Sequence, residues 1–349
     1  MYYLLIIVIL LMYNSLTYKS TNLRVKAENK YAYIICTALV LLAAFRGDAV
    51  GADTEGYREH FVNMGMYHSL HDLIDRYSEF YMGYYIPCKF FHMLGMPVQV
   101  WFGFVMAFYL YAAMRLINLF SKDKLFSLMV FICSGLWLFS MAGLKQTFAM
   151  SMMMLAFVFF VEKKYLRTTT LIFLTYYTHQ AALIGIACIP FYIYRKKKWL
   201  VPFSFIICGL IYSFSYLFME TMVNIMGNEK WETYLVTESQ YTYTTFIFYV
   251  VVTITALLIF KQYNAVDSNS ANLFLGLSLI GCGLQLLAGV SPSLFRLAYL
   301  YTPFMMILLP NSVYYSTSRY RKLTKIFLIV SMIFYFLYTN RMWPYEFLK

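Results

Sequence analysis

The chain has 349 residues, 61% of them hydrophobic and 13% charged, with a formal net charge of +12. No soluble core of this length hides so much apolar surface beneath so thin a polar shell, so composition excludes a soluble globular domain and makes the bilayer the solvent. The basic balance does not mark a nucleic-acid binder, because it divides by loop.

Eleven stretches without Asp, Glu, Lys or Arg approach or exceed the ~20 residues that cross a ~30 Å hydrocarbon core. They are residues 1–18, 31–45, 90–114, 125–144, 146–161, 168–194, 199–219, 241–260, 268–295, 297–318 and 326–340. Their periodicity is helical or absent, never alternating, which argues against a barrel. The expected fold is all-α: a polytopic integral membrane helix bundle of about ten spans plus a short hairpin. It forms a single transmembrane domain over residues 1–349, with external loops at 46–89 and 220–240. No basic region precedes the first apolar run and no small-residue cleavage site follows it, so residues 1–18 read as a retained helix. Five of the six cysteines lie inside apolar stretches, and only Cys88 is near a loop. Their spacing suits neither a disulfide nor a metal, so no metal site and no cofactor are expected.

Lys and Arg set the orientation, since cytoplasmic loops carry the positive excess. With the N-terminus outside, the inner segments are 19–30, 115–124, 162–167, 195–198, 261–267 and 319–325, holding 19 basic and 4 acidic residues. The outer segments hold 9 basic and 12 acidic residues. The C-terminus is then outside as well. Residues 168–194 are flanked by basic clusters on both sides, and a hairpin keeps both clusters inside. Its arms, 168–178 and 180–194, would be about 16 and 22 Å long, short for full spans. The turn carries His179 and Gln180 toward the outer half of the membrane, where irregular backbone is tolerated only if it is buried in protein or lines a polar cavity.

The topology places Arg46, Asp48, Asp53, Glu79, Lys145, His179 and Arg296 on the same outer side. Arg296 is the only charge between Ser268 and Ser318, and an isolated charge at membrane depth is a functional candidate by default. Asp53 has a structural alternative as the cap of a short helix beginning TEGYREHF. The 34 Tyr, 32 Phe and 5 Trp fit aromatic belts at both interfaces.

The segment RGDAVGADTEGY, residues 46–57, resembles the R…VGxDTxxY signature of EpsG-type polysaccharide polymerases, Wzy-like enzymes of bacterial exopolysaccharide and capsule synthesis. Further matches follow in order. Glu79 precedes Gly83 and Tyr84, GLKQ at 143–146 stands where the family shows GxRQ, and His179 ends an apolar arm. Arg296 and Tyr299 form an RxxY, and NRMWPYEF closes the chain. Lys145 departs from the usual arginine, keeping the charge but losing the planar fork that suits phosphate.

The resemblance implies a glycosyltransferase-type enzyme at the outer face of the bacterial cytoplasmic membrane that links repeat units carried on undecaprenyl pyrophosphate. O-antigen synthesis would use the same chemistry. Such a reaction needs cations for the departing pyrophosphate and a base at the acceptor hydroxyl. Arg46, Lys145 and Arg296 are the cation candidates, with Gln146, Tyr57 and Tyr299 beside them for substrate binding. Asp53 ranks first as base, before His179 and Glu79. The fold implied is similar to C-type membrane glycosyltransferases. The partners implied are undecaprenyl-pyrophosphate-linked oligosaccharides, membrane lipid and a chain-length regulator, with no nucleic acid. Two rival classes stand beside this reading: a flippase or transporter of lipid-linked oligosaccharide, and a membrane acyltransferase acting on surface polysaccharide. A flippase should show repeat symmetry and mid-membrane charge, neither of which is clear here.

Overall fold

The computed structural model describes residues 21–215, 217, 220, 243–260, 268–289, 294–316, 321–339 and 345–347. The helix expected at 1–18, the inner segment 261–267 and all but Glu220 of the external segment 220–240 lie outside the described residues. Among those described, every regular element is helical, and the single strand-like feature is an isolated antiparallel bridge between Arg46 and Phe347.

Four described helices are long and apolar enough to cross a membrane: Val25–Ala44, Val98–Phe120, Leu144–Val161 and Arg321–Thr339. A bent pair, Lys124–Cys133 with Leu136–Ala142, makes five if it counts as one span. Two expected spans are redrawn. The stretch 125–144 is not one straight crossing, because the chain turns through 50° at Ser134 and Gly135. The span placed at 90–114 begins instead at Val98, since Pro97 has no N–H to continue a helix and stands at the N-cap of the next one. Gln180–Ile193, Leu200–Ser213, Thr244–Ile259 and Ser270–Leu286 are shorter apolar helices.

The described residues fall into two compact units, one ending at Ile186 and resuming at Ile326, the other Ala187–Lys325. The first contains α1 (Thr21–Ala44), α2 (Thr54–Val62), α3 (Leu70–Tyr77), α4 (Met82–Met93), α5 (Val98–Phe120), α6 (Lys124–Cys133), α7 (Leu136–Ala142), α8 (Leu144–Val161) and α9 (Tyr165–Tyr176). α5 packs between α1 and α8, and α8 also packs on α9. Large side chains fill the interior, among them Trp101, Phe102, Tyr109, Trp137 and Phe157. Local signals set the boundaries. Ser69 Oγ accepts from the Asp72 amide while the Asp72 carboxylate accepts from the Ser69 amide, a reciprocal cap that starts α3. Asp123 caps α6 by accepting from the Phe126 amide at 3.1 Å.

This unit has two chemically distinct ends. At one, Lys124 donates to Asn29, and Arg115 and Lys164 both pair with Glu162 just beyond α8. Arg115, Lys164 and Arg167 all lie within 5.7 Å of the Phe159 ring centroid. At the other end, where α1 finishes and α5 and α8 begin, lie Arg46, the helices of residues 54–93, and Lys145.

The second unit contains α10 (Cys188–Ile193), α11 (Leu200–Ser213), α12 (Thr244–Phe260), α13 (Ser268–Leu286) and α14 (Thr302–Tyr315). α13 packs against α11, α12 and α14. Thr302 Oγ1 donates to Tyr249 Oη at 2.9 Å, tying α14 to α12. Arg296 and Tyr299 sit on a 3-10 segment, Leu294–Leu300, and are half-buried. The last helix, α15 (Arg321–Thr339), begins in the residues of this unit and ends in those of the first.

Candidate active site

The motif-rich loop after α1 is held by Arg46, whose side chain is only 1% exposed. Its guanidinium donates to Ala43 O at 2.5 Å, Thr54 Oγ1 at 3.1 Å and Met141 O at 3.2 Å, and lies 4.2 Å from the Phe102 ring centroid. Burial pulls its pKa down from 12.5 to about 10, which still leaves it charged at neutral pH. Thr54 reaches the same carbonyl of Met141 at 3.3 Å, so the start of α2 is pinned to the end of α7. Gly51 makes that approach possible. Its φ is +91°, and a Cβ there would lie 2.9 Å from Met141 O. Outside this shell, Arg58 Nε meets Asp48 Oδ1 at 2.5 Å.

Asp53 occupies the N-cap position of α2, yet its side chain makes no capping hydrogen bond. From Asp53 the helical repeat places Tyr57 and His60, four and seven residues on, along one face. Tyr57 is buried, with its ring 5.9 Å from Tyr84, and Tyr84 Oη accepts from Trp101 Nε1 at 3.0 Å. The His60 ring meets Tyr77 and Tyr85 edge-on, with Nδ1 at 3.3 Å from Tyr77 Oη. Burial first, then the Lys145 charge, lowers the His60 pKa from its ordinary 6.5 and so favours the neutral imidazole.

Lys145 comes from the first turn of α8. Its Nζ lies 3.4 Å from Tyr85 Oη, 4.5 Å from the Tyr81 centroid and 5.4 Å from that of Tyr85. Tyr85 in turn stacks on Tyr77 at 3.8 Å. Gln146, 4% exposed, is buried beside Lys145 in the same turn.

His179 enters through a close backbone contact. α9 ends at Tyr176 and a 3-10 helix starts at Gln180, so regular helix breaks at 177–179. Gly83 N donates to Tyr177 O at 2.7 Å, and a Cβ on Gly83 would fall 2.2 Å from Thr178 Oγ1. Only glycine lets α4 touch this turn. The contact sets the His179 ring 6.2 Å from Tyr81, on whose face Lys145 sits.

Glu79 opens a 3-10 turn before α4 and is exposed. Lys145 and His179 thus both meet Tyr81 of α4, Tyr57 of α2 meets Tyr84 of α4, and Asp53 precedes Tyr57 by one helical turn, while Arg46 is buried at the end of α1. Arg296 and Tyr299 belong to the second unit. Tyr81 and Tyr85 belong to the tyrosine cluster at 77–85, which from the chain alone marks only an outer membrane end. His60 has no such signal beyond the Asp53, Tyr57, His60 spacing, which could have found it.

The chain's last described residues return to this end. Gly47 N donates to Glu346 O at 2.8 Å beside the Arg46–Phe347 bridge, and Tyr345 Oη donates to Leu42 O. Tyr345, Glu346 and Phe347, the end of the NRMWPYEF motif, thus lie next to the opening motif.

No curated protein and no solved structure matches the chain. The model of the EpsG family matches residues 29–347, covering both the Asp53 loop and the residues that close on it, and the chain belongs to the EpsG family.

Proposed function

We propose that this protein polymerises lipid-linked oligosaccharide repeat units at the outer face of the bacterial cytoplasmic membrane. Membership of the EpsG family supports a role in polysaccharide biosynthesis. The observation that supports the finer reading is the gathering of motif residues at one end of the first unit: Lys145 and His179 both meet the Tyr81 ring of α4, and Tyr57, one helical turn after Asp53, meets Tyr84 of the same helix. In the reaction, the acceptor hydroxyl oxygen attacks the anomeric carbon of the growing chain. Its proton passes to Asp53, and the bond to undecaprenyl pyrophosphate breaks with the electron pair leaving on phosphate. Lys145 stabilises that charge as it develops. A carboxylate within reach of the acceptor hydroxyl takes up the proton as the bond forms. His179 is the second candidate for base and exposed Glu79 the third.

The same proposal includes about ten spans plus the 168–194 hairpin, both termini outside, and a bundle similar to C-type membrane glycosyltransferases. Membrane lipid surrounds it, a chain-length regulator is its expected protein partner, and Arg296 with Tyr299 contributes a second substrate contact. Deleting the gene tests the reaction class. Single repeat units should accumulate outside on their lipid, whereas accumulation inside would assign the protein as a flippase, and normal polymer lacking an acyl group would assign an acyltransferase. Asp53→Asn should lower polymerisation about 100-fold or more at unchanged expression, because an amide cannot take up the proton. Asp48→Asn is the neighbouring control, and equal mild effects in both would remove Asp53 from catalysis.

A further inference from the structure

Tyr81, Tyr85, Tyr77 and His60 make no part of the polymerase reading above, yet they surround its cation. The geometry points to a positioning role: we infer that Tyr81 and Tyr85 form an aromatic seat that fixes the Lys145 ammonium for binding pyrophosphate. The inference rests on the reading of Lys145 as the cation that meets the leaving group.

Lysine carries a compact charge on a flexible four-carbon stem, so a lysine that must meet a phosphate at one place needs restraint from outside itself. Here the restraint is aromatic. Nζ lies over the Tyr81 ring at 4.5 Å and near the Tyr85 ring at 5.4 Å, both inside the ~6 Å reach of the cation–π attraction. Tyr85 Oη adds a polar contact at 3.4 Å. The seat is itself braced. Tyr85 is buried, stacks on Tyr77 at 3.8 Å and meets Tyr84 edge-on at 5.2 Å, and Tyr77 is tied to His60 at 3.3 Å. Tyr81 meets His179 at 6.2 Å, which links the seat to the turn docked on Gly83. Ring faces attract an ammonium without carrying a full negative charge, so this contact orients Lys145 without itself cancelling the charge that meets an anion. A carboxylate in the same place would cancel it.

The test pairs ring-keeping with ring-removing variants: Tyr81→Phe and Tyr85→Phe against Tyr81→Leu and Tyr85→Leu, in the purified full-length protein. One readout is independent of function. The rate of acetylation of Lys145 by acetic anhydride, followed by mass spectrometry with Lys89 as internal control, should rise about tenfold in the Leu variants and less than twofold in the Phe variants. The second readout is inhibition of polymerisation by inorganic pyrophosphate, which should weaken about tenfold with Leu and be kept with Phe. Leu variants that match wild type in both readouts would overturn the seat. If Lys145→Ala leaves polymerisation and its pyrophosphate inhibition intact, the polymerase reading of Lys145 fails, while the acetylation result still decides whether the seat exists.

Discussion

Arg46 and Lys145 are two cations at the same end of the first unit, and the protein treats them in opposite ways. Arg46 is closed off behind two carbonyls, a hydroxyl and the Phe102 ring, and burial depresses its pKa. Lys145 stays half-exposed on tyrosine faces. A shell of carbonyl oxygens uses up the donors of a guanidinium, so Arg46 is committed to joining α1, α2 and α7. An aromatic seat leaves an ammonium its charge. Position near a motif therefore does not make a cation a ligand for substrate; the chemistry of its immediate neighbours decides.

The sharpest way to break this comparison is Arg46→Ala. It deprives Ala43 O, Met141 O and Thr54 Oγ1 of a charged donor and should cost roughly 3 kcal/mol or more of stability, read as a large fall in the melting temperature in detergent. Unchanged melting with lost polymerisation would instead make Arg46 a substrate ligand. Lys145→Ala should do the reverse, leaving the melt nearly intact while polymerisation drops about 100-fold. Lys145→Arg should retain activity or raise it. Tyr345→Phe removes one hydrogen bond to Leu42 O and should cost about 1 kcal/mol in the same melt.

The smallest effect concerns His60. Its folded pKa lies below 6.5, so on acidification the unfolded chain takes up a proton before the folded one does. Stability is then full above pH 6.5 and declines as pH falls toward the folded pKa, because protonation adds a second cation near Lys145. His60→Gln should flatten that decline, measured as melting temperature between pH 7.5 and 5. A wild-type curve that is already flat would remove the burial and charge argument for His60.

Much of this was legible in the chain itself. Helical class follows from apolar runs without alternation, and the turn at 177–179 falls where basic residues flank both sides of one apolar stretch. The break at Ser134 and Gly135 was not legible, because an uncharged run looks the same straight or bent. The seat of Lys145 was only partly legible, since the tyrosine cluster at 77–85 is visible in the chain but nothing in its spacing says that Tyr81 and Tyr85 meet Lys145. Gly83 was noticed as a motif letter, but its meaning, contact with Tyr177 and Thr178, needs tertiary structure. The same holds for Arg46: its position at the end of a span is visible in the chain, but its carbonyl partners Ala43 O and Met141 O are seen only in tertiary structure.

The bridge between Arg46 and Phe347 also sets an order of events during biosynthesis. Tyr345 and Leu42 are 303 positions apart, so the chain enters the membrane almost entirely before this contact can close. Until then Gly47 N lacks its acceptor, Glu346 O, and the loop carrying Asp53 rests on the Arg46 and Thr54 contacts to Met141. Residues that meet only after most of the chain between them has been made therefore fasten this loop late, and a truncation ahead of Tyr345 would remove that fastening.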